Sequence, residues 1–487
     1  MSEDRIMNER KKKLEDLREN GINPYPYTFD KKNNAKDLQK EFSKLKKEEK
    51  TKKKVSIAGR VMVSRVMGKI AFFEIQDQSG RIQLFASKKS LENYNAIKKI
   101  DNGDFIGVNG TVFKTKTGEI TIDVKGFELL AKSIRPLPSE WHGLKDDEIR
   151  YRQRYLDLIA NPDVKEVFIK RAEIIKAIRQ FMEDRDFIEV DIPALQTIYG
   201  GANARPFKTH VNAWDIPLYL SISPELHLKR LLVGGFEKVY SLNKSFRNEG
   251  VDKTHNPEFT MLECYQAYAD YTDMEELTEE LYKYVAKKVL KTTKIEYQGK
   301  QIDLGKPWEK ITMVDALKKY AKIDTKKLSD KELQELLKKH KITLQPYNRG
   351  LAINELFEEL VEDKLIQPTF IKDHPKETTP LCKQKRDDEN HIERFEPFIN
   401  GWEIGNAYSE LNDPILQEKL LEEQEEAGRG GDEEYHPMDK DYIRAMETGM
   451  PPAGGLGLGI DRMAMLLTNS SSIRDVILFP TMRPEEE

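Results

Sequence analysis

Two arginines that lie far apart in the sequence have the chemistry to bind a polyphosphate. Arg247 lies in the segment FRNEGVDKTHNPEFTMLECY (246–265), and Arg462 ends the glycine-rich segment GLGLGIDR (455–462). A guanidinium group stays protonated and binds phosphate oxygens through two parallel hydrogen bonds. Either segment alone would indicate only a surface arginine or the glycine-rich start of a helix. Both arginines would contact one polyphosphate only if the fold brings the two segments together.

The first segment predicts a β-hairpin that would position Arg247. Arg247 and Glu249 alternate along one face, and a second alternating run extends from Glu258 to Tyr265 after a polar loop containing Asn and Pro. Alternation with a period of two on both sides of such a loop is typical of a hairpin. The second segment predicts a glycine-rich strand end that leads into a helix. Its glycines (454–459) lack the spacing of a dinucleotide-binding fingerprint, and no βαβ unit with a ribose-binding acid follows.

In this order, the two segments resemble the second and third signature motifs of the class II aminoacyl-tRNA synthetases. The string HNPEFTMLECYQAYADY (255–271) is most similar to the lysine-specific branch. A long predicted helix that runs into FIEVDIPALQ (187–196) resembles the first motif, which forms the dimer interface of the family. Proline is expected only at the edge of a sheet or at a bulge, so Pro193 in this strand suits a subunit boundary. The resemblance covers about Val55 to the end of the sequence. It implies ATP-dependent attachment of lysine to its tRNA through a lysyl-adenylate, and a homodimer.

The resemblance implies a reaction that needs no nucleophile from the protein. The carboxylate of the amino acid attacks the α-phosphorus of ATP, so the protein supplies position and charge. Arg247 is expected at the α-phosphate, and Arg462 at the distal phosphates or the adenine. The remaining residues that the resemblance assigns to ATP are Glu249, His255, Asn256 and Phe259. Thr254 stands where some bacterial members have an arginine, so one phosphate contact should be weaker or come from another group.

Three glutamates indicate which amino acid would bind. Glu225, Glu263 and Glu410 are all predicted to lie in strands of the catalytic sheet. Burial of three carboxylates is costly unless cations compensate, and the two ammonium groups of lysine would do so. An acidic or amide side chain would not. The resemblance places Gly201 and Glu225 at the α-ammonium group, Glu263, Tyr265 and Glu410 at the distal ammonium group, Asn406 with Arg247 at the carboxylate, and Tyr408 along the pocket wall.

A second pair of carboxylates is a candidate for a metal site. Glu396 and Glu403 are seven residues apart, and a turn at Asn400–Gly401 would fold two strands together and bring them close. Oxygen ligands beside a polyphosphate are typical of Mg²⁺ that keeps several of its waters. Without the family resemblance, two surface carboxylates would be the simpler interpretation. With it, we expect Glu396 and Glu403 to bind Mg²⁺.

Residues 55–133 predict a nucleic-acid-binding barrel. Five β-rich runs, with a helical run between the third and the fourth, match the OB-fold, which binds single-stranded nucleic acid. Alternation requires that at least one of Phe72 and Phe73 faces outward, where an aromatic ring can stack on an unpaired base. The resemblance assigns anticodon binding to Arg65, Phe72 and Gln83. The alternative is an OB-fold that packs on a neighbouring domain.

The remaining organisation follows from composition. Residues 1–54 predict a helical, lysine-rich segment, residues 134–160 a linker, and residues 161–487 the catalytic domain, with a small helical insertion at about 313–365. The predicted fold class is α+β: an N-terminal OB-fold barrel, then an antiparallel catalytic sheet flanked by helices. The net charge of −4 does not by itself indicate a nucleic-acid partner, but the lysine-rich residues 31–54 can still supply phosphate contacts. The alternative for this run is a solvated helix face.

Several features favour a cytoplasmic protein without disulfides. No apolar stretch approaches the roughly 20 residues that span a bilayer, and the charged, periodic N-terminus predicts a helix instead of a signal peptide. Cys264 and Cys382 have no neighbouring cysteine or histidine that would indicate a disulfide framework or a zinc site.

Two other functions compete with tRNA charging. A lysine-activating paralogue would modify a protein, but relatives of that kind lack the anticodon module predicted here. A non-catalytic RNA-binding protein would have no need of Arg247, Arg462, Glu396 and Glu403. Lysine-stimulated pyrophosphate exchange and charging of tRNA distinguish the three.

Overall fold

The computed structural model describes residues 2–91, 93–138, 144–429 and 437–485, with side chains omitted for 427–429. It divides into two compact units, Met1–His142 and Gly143–Glu487. The fold class is α+β, as predicted. None of the helices within the described ranges is long and apolar enough to cross a membrane.

The first unit is a closed five-stranded barrel preceded by two helices. Its elements are α1 (Glu3–Glu19), α2 (Ala35–Glu41), β1 (Lys50–Met67), β2 (Ile70–Gln76), β3 (Arg81–Ser87), α3 (Tyr94–Ile97), β4 (Phe105–Lys114) and β5 (Ile120–Ala131). The strand order is β1-β2-β3-β5-β4, with a helix between the third and fourth strands, as predicted for the OB-fold. Alternation in β2 buries Ala71, Phe73 and Ile75 and leaves Phe72 on the outer face.

The barrel starts earlier than the sequence predicts. Lys50 and Lys54 of β1 pair with Phe113 and Thr111 of β4, so the end of the lysine-rich segment is strand. Within the described residues 2–54, the α-helices are α1 and α2. Lysine is not a strong strand former, and the pairing with β4 outweighs its weak local preference.

The second unit contains most of the helices and strands. The helices are α4 (Asp147–Arg152), α5 (Arg154–Ala160), α6 (Pro162–Glu183), α7 (Glu225–Val233), α8 (Tyr271–Leu290), α9 (Met313–Ala316), α10 (Asp330–Lys339), α11 (Arg349–Leu360), α12 (Pro414–Arg429), α13 (Lys440–Glu447), α14 (Ile460–Thr468) and α15 (Ile473–Val476). The strands are β6 (Ile188–Glu189), β7 (Leu195–Gln196), β8 (Lys208–Val211), β9 (Ile216–Leu220), β10 (Lys238–Phe246), β11 (Glu258–Ala267), β12 (Lys294–Tyr297), β13 (Lys300–Asp303), β14 (Glu309–Thr312), β15 (Thr369–Pro375), β16 (Gln384–Lys385), β17 (Asp388–Ile399), β18 (Trp402–Glu403), β19 (Gly405–Ser409) and β20 (Ala453–Gly459).

A mainly antiparallel ten-stranded sheet organises this unit. Its order is β14-β15-β17-β19-β20-β11-β10-β6, and β16 and β18 also pair with β17. Helices α6, α8 and α14 pack on it through apolar residues at helical spacing, such as Ile178, Phe181, Leu281 and Leu466, all of which are buried. Burial of each such side chain contributes about 1.5–3 kcal/mol. This core packs the helices against the sheet, and the cavity described below is lined by other residues of the sheet.

Two linking segments differ from their predicted form. Residues 144–160, within the predicted linker, contain α4 and α5, and Arg154 is fully buried there in an ion pair with Asp157 (2.6 Å). Residues 139–143 of the linker lie outside the described residues, as do residues 430–436. Pro193 lies between β6 and β7 and not inside a strand, because proline cannot donate to a ladder.

The helical stretch that follows β14 shares its core with the sheet. It contains α9, α10, α11, a π-helical turn at Leu317–Ala321 and two 3₁₀ turns. Its buried residues Leu333, Leu356 and Phe357 pack with Ile371 of β15 and Phe398 of β17. The predicted insertion therefore supports the strand that carries Glu396.

Candidate active site

One cavity collects nearly all of the residues that the sequence assigns to the reaction. Its volume is about 370 Å³, and it lies over one face of the large sheet. Of the residues predicted to bind ATP, lysine or Mg²⁺, those lining it are Gly201, Glu225, Arg247, Glu249, His255, Asn256, Phe259, Glu263, Tyr265, Glu396, Glu403, Asn406, Tyr408 and Arg462. Glu410 lies behind the wall and is fully buried.

The glycine-rich strand β20 explains how side chains from its two neighbours share one space. Gly455 pairs with Tyr265 of β11 on one side and with Tyr408 of β19 on the other. A Cβ atom at Gly455 would lie 2.5 Å from Cε1 of Tyr265 and would overlap the carboxylate of Glu410. Any side chain at this position would therefore fill the floor of the cavity. The glycines are required by this close approach, as a strand-interior glycine often is.

Glu225 is not in a strand, contrary to the prediction. It is the first residue of α7 and is only 3% exposed. Its Oε2 accepts a hydrogen bond from the Tyr408 hydroxyl (3.1 Å), and its backbone N–H donates to Ser223 Oγ (3.1 Å). Gly201 has φ +87°, and a Cβ atom there would lie 2.8 Å from Ser223 Oγ. The start of α7 and the Gly201 backbone therefore form one side of the cavity.

The other two glutamates are also buried. Glu263 lies in β11, as predicted, and accepts hydrogen bonds from Ser223 Oγ at 3.0 and 3.1 Å. Glu410 follows β19 and forms a single β-bridge with Cys382, so it is not inside a regular strand. Burial, reinforced by Glu225, raises the pKa of Glu263 to about 8. Burial also raises the pKa of Glu410 to about 8, although Lys229 opposes the shift.

A tight turn brings the predicted metal ligands together. Asn400 (φ 59°) and Gly401 (φ 75°) connect β17 to β18, and Phe398 pairs with Glu403. Positive φ at both central residues is typical of the two-residue hairpin turn that Asn-Gly favours. Glu396 lies diagonally across the β17–β18 hairpin from Glu403, on the same face of the sheet. Partial desolvation, together with Glu396, raises the pKa of Glu403.

This pair suits a hydrated Mg²⁺ ion. Within the described residues no group of three or more acidic, histidine or cysteine side chains is arranged to hold a metal. Two carboxylates are nevertheless enough for Mg²⁺, which usually binds to one or two carboxylates together with substrate phosphates and water. Glu396 and Glu403 therefore fit an ion that arrives with a polyphosphate.

The two arginines, Arg247 and Arg462, line the same cavity. Arg247 stacks over the Phe259 ring at 5.1 Å, and its buried Nε has no hydrogen-bond partner in the described part of the chain. Arg462 donates to the backbone carbonyl of Glu403 and approaches His255 Nε2 (3.3 Å). An unpaired guanidinium nitrogen beside an open cavity is available to bind an anion.

The loop between β10 and β11 carries remaining residues that are predicted to bind ATP, and hydrogen bonds within the loop fix their positions. Asp252 accepts hydrogen bonds from the Thr254 backbone (2.6 Å) and hydroxyl (2.9 Å), and from His255 Nδ1 (2.8 Å). Asn256 is buried and donates to the carbonyl of Glu258 (2.6 Å), whereas Glu249 is exposed. Thr254 therefore shapes the loop that presents His255.

Two charged residues at the site are missing from the sequence-based set. Arg394 lines the cavity and donates to Asn406 Oδ1 (2.9 Å) and Glu396 Oε1 (2.5 Å). Arg394 and Glu396 are two residues apart in β17, and this alternation could have indicated from the sequence that Arg394 faces the same cavity. Lys229 is fully buried beside Glu225 and Glu410. The i, i+4 spacing of Glu225 and Lys229 could also have indicated that the two side chains meet, but only if the segment is predicted to be a helix.

The barrel of the first unit has an aromatic patch on its outer face. Phe72 and Phe85 are cross-strand neighbours with ring centroids 5.1 Å apart, and Phe113 lies 6.2 Å from Phe85. Arg65 pairs with Phe72 across the strands. Gln83 lies on the same face as Phe85 and accepts a hydrogen bond from Thr121 (2.8 Å). The three predicted residues thus share this face, and Phe113 is an addition to them.

Comparisons with known proteins give the same two-part division. A family model described as tRNA synthetases class II (D, K and N) matches residues 146–483, and one described as an OB-fold nucleic acid binding domain matches residues 55–130. A lysine–tRNA ligase of Pelotomaculum thermopropionicum is 54% identical, over 99% of this chain and 95% of its own. Lysine–tRNA ligases of Thermoanaerobacter sp. and Clostridium novyi are 53% and 52% identical, each over 98% of this chain and over 96% and 94% of their own. The chain therefore belongs to the class II tRNA synthetase family, among relatives that are lysine–tRNA ligases.

Proposed function

We propose that this protein attaches L-lysine to the 3′ end of its tRNA, using ATP and a lysyl-adenylate intermediate. The observation that carries the proposal is the grouping of Glu225, Glu263 and Glu410, all nearly or fully buried, in and behind the wall of one cavity that Arg247 and Arg462 also line. Buried carboxylates favour a substrate with ammonium groups, and arginines favour a polyphosphate.

In the proposed reaction the lysine carboxylate attacks the α-phosphorus of ATP and expels pyrophosphate. Arg247 binds the α-phosphate and, with Asn406, the attacking carboxylate, so it holds both reacting groups in line. Arg462 binds the distal phosphates or the adenine. Phe259 offers its ring to the adenine, and Glu249, His255 and Asn256 complete the ATP site.

In the lysine-binding part of the site, separate residues bind the two ammonium groups of lysine. Glu225 and the Gly201 backbone hold the α-ammonium group, and Glu263, Tyr265 and Glu410 hold the distal one. Tyr408 lines the pocket between them. Bound Mg²⁺, held by Glu396 and Glu403, would neutralise charge on the polyphosphate.

The barrel is proposed to read the anticodon. Phe72 is half-buried on the outer face, beside Phe85, and offers a stacking surface for an unpaired base. Arg65 and Gln83 supply a cation and an amide for the phosphate backbone and base edges. Lys50, Lys114 and Lys116 border the same patch, which supports a salt-dependent contact with RNA.

A homodimer is also part of the proposal. In the segment that resembles the first class II motif, Ile188 and Leu195 are each 51% exposed, and a partner copy would cover them. Sedimentation of the purified protein tests this directly. We also propose a cytoplasmic location, where charged tRNA is used for translation.

Two assays test the function. The first is lysine-dependent exchange of labelled pyrophosphate into ATP, and the second is formation of lysyl-tRNA from a lysine tRNA transcript. Exchange without tRNA charging would favour the protein-modifying paralogue, and absence of both would favour a non-catalytic RNA-binding protein.

The amino acid specificity has its own test, because aspartate-specific relatives share the same domain plan. A cavity with buried carboxylates should exclude aspartate. Lysine should raise the melting temperature, and more so together with ATP and Mg²⁺, since ligands that bind only the native state stabilise it by mass action. A shift with aspartate and none with lysine would contradict the proposal.

A further inference from the structure

Lys229 is a buried cation to which the proposed reaction assigns no role. It lies one turn into α7, its side chain has no exposed surface, and its Nζ is 2.5 Å from Oε1 of Glu225. The same ammonium group contacts the carboxylate of Glu410. It also lies 6.0 Å from the ring centroid of Tyr265 and 5.8 Å from that of Tyr408. A protein ammonium thus touches two of the three pocket glutamates.

The contacts fix the positions of both carboxylates. Glu225 is held by Lys229 through one oxygen and by the Tyr408 hydroxyl through the other. Neither oxygen of Glu410 receives a hydrogen bond of good geometry from the described residues, so the contact with Lys229 is its main electrostatic support. Removing one partner of a buried ion pair leaves the other charge uncompensated.

The charges around the pocket then match those of the proposed substrate. Glu225, Glu263 and Glu410 carry three potential negative charges, and Lys229 cancels one of them. Two remain, which equals the number of ammonium groups on lysine. The other titratable groups facing Lys229 are Tyr265, Tyr408, Tyr442 and Cys382; burial raises the pKa of each, so they stay neutral at ordinary pH.

We propose that Lys229 is a positioning residue that determines specificity. Its fixed ammonium group holds Glu225 and Glu410 in place and cancels one of three carboxylate charges, so that the pocket selects an amino acid with two ammonium groups. The inference rests on the proposed lysine pocket. Burial disfavours a charged lysine, but Glu225 and Glu410 outweigh it and raise the pKa of Lys229 well above its ordinary value. The ammonium form is therefore the one present at neutral pH.

The test compares lysine with norleucine, which has the same carbon chain but lacks the distal ammonium group. Pyrophosphate exchange is measured with both amino acids for the wild type and for Lys229→Met, which keeps the length of the side chain without its charge. Without Lys229, Glu410 stays protonated and no longer favours an ammonium group. The ratio of kcat/KM for lysine over norleucine should fall by about tenfold or more, while the KM for ATP stays nearly constant. An unchanged ratio would overturn the proposal.

A matched control is available in the other unit. Lys132 is also fully buried and bridges two carboxylates, Asp101 (2.5 Å) and Asp104 (2.7 Å). Lys132→Met removes an equivalent buried ion pair that belongs to the first unit. It should lower the melting temperature without changing the lysine-to-norleucine ratio. The same loss of ratio in this control would show that general destabilisation explains the effect, and would overturn the proposal.

A double variant keeps the test valid if Lys229→Met does not fold. Lys229 acts partly through Glu410. Adding Lys229→Met to the Glu410→Gln variant should therefore raise the KM for lysine by a smaller factor than Glu410→Gln alone raises it. The addition should also hardly change the ratio of kcat/KM for lysine over norleucine that remains in the Glu410→Gln variant. A further large loss of the ratio in the double variant would contradict this coupling. Absence of lysine-dependent exchange in the wild type would instead contradict the proposed function itself, so the two failures are distinguishable.

Discussion

The Tyr408 hydroxyl donates a hydrogen bond of 3.1 Å to Glu225, and this bond joins β19 to the first turn of α7. The two residues are 183 positions apart in the sequence. Both are nearly buried, so water does not compete strongly for the bond. The pocket that we assign to lysine thus depends on a contact between a sheet and a helix.

Tyr408→Phe should weaken lysine binding only mildly. The change removes one hydrogen bond worth about 1 kcal/mol, which corresponds to a few-fold rise in the KM for lysine. Glu225 keeps its contact with Lys229, so the pocket should remain formed. Pyrophosphate exchange measures the effect, with Tyr155→Phe, an exposed tyrosine, as the control. Loss of all activity would mean that the hydroxyl does more than orient Glu225.

Arg247→Ala should abolish adenylate formation and leave the fold intact. A clamp on the transferring phosphoryl group acts more strongly in the transition state than in the ground state. Turnover should fall by about 10²-fold or more, by analogy with loss of one oxyanion donor. Arg444→Ala, an exposed arginine of α13, is the control. Near-normal lysine-dependent pyrophosphate exchange by Arg247→Ala would refute the assignment.

Phe72→Ala should weaken binding of an anticodon stem–loop with uridines at its central positions. Loss of one stacked base costs about 1–3 kcal/mol. Phe105 is also a partly exposed barrel phenylalanine, but it packs against Arg60 and not in the aromatic patch, so Phe105→Ala is the control. Affinity should also fall as salt rises. Equal affinities for wild type and Phe72→Ala would rule out stacking at this position.

The stability of the ligand-free protein should decrease as pH rises. Burial raises the pKa of Glu263 and of Glu410 to about 8. A carboxyl group with a raised pKa binds its proton more tightly in the folded chain than in the unfolded chain. Its contribution is therefore complete below the ordinary glutamate pKa and is lost as pH rises through about 8. Melting temperatures measured between about pH 5 and pH 8 check the trend.

Lysine binding should show the opposite dependence on pH. Ammonium groups favour ionised carboxylates, so binding of lysine releases protons from Glu263 and Glu410. The rise in melting temperature at saturating lysine should therefore grow between about pH 6.5 and pH 8.5. Glu263→Gln, which cannot ionise, should reduce this growth. A lysine effect that is constant over this range would contradict the protonation of these carboxyl groups in the free pocket.

Much of this fold can be predicted from local patterns in the sequence. Alternation predicts a β-hairpin, and β11 matches its second strand, but β10 ends at Phe246, so Arg247 and Glu249 lie in the loop and not in a strand as predicted. The Asn400–Gly401 turn that places Glu396 near Glu403 follows from residues that tolerate positive φ. The barrel is equally local, since each of its strands alternates between core and surface. The alternation and the turn chemistry lie within a few residues along the chain, whereas closure of the barrel also needs the pairing of β1 with the distant strand β4.

Tertiary structure decided which distant residues meet, and so decided the charge of the pocket. The sequence predicts Glu225 in a strand, and the structure starts a helix there, which places Lys229 against Glu225 and Glu410. Gly455 must lack a side chain because Tyr265 of β11 and Glu410, which follows β19, both approach it closely. Neither fact is encoded locally: the energy of a buried charge depends on partners that only the order of strands and the packing of helices bring within reach.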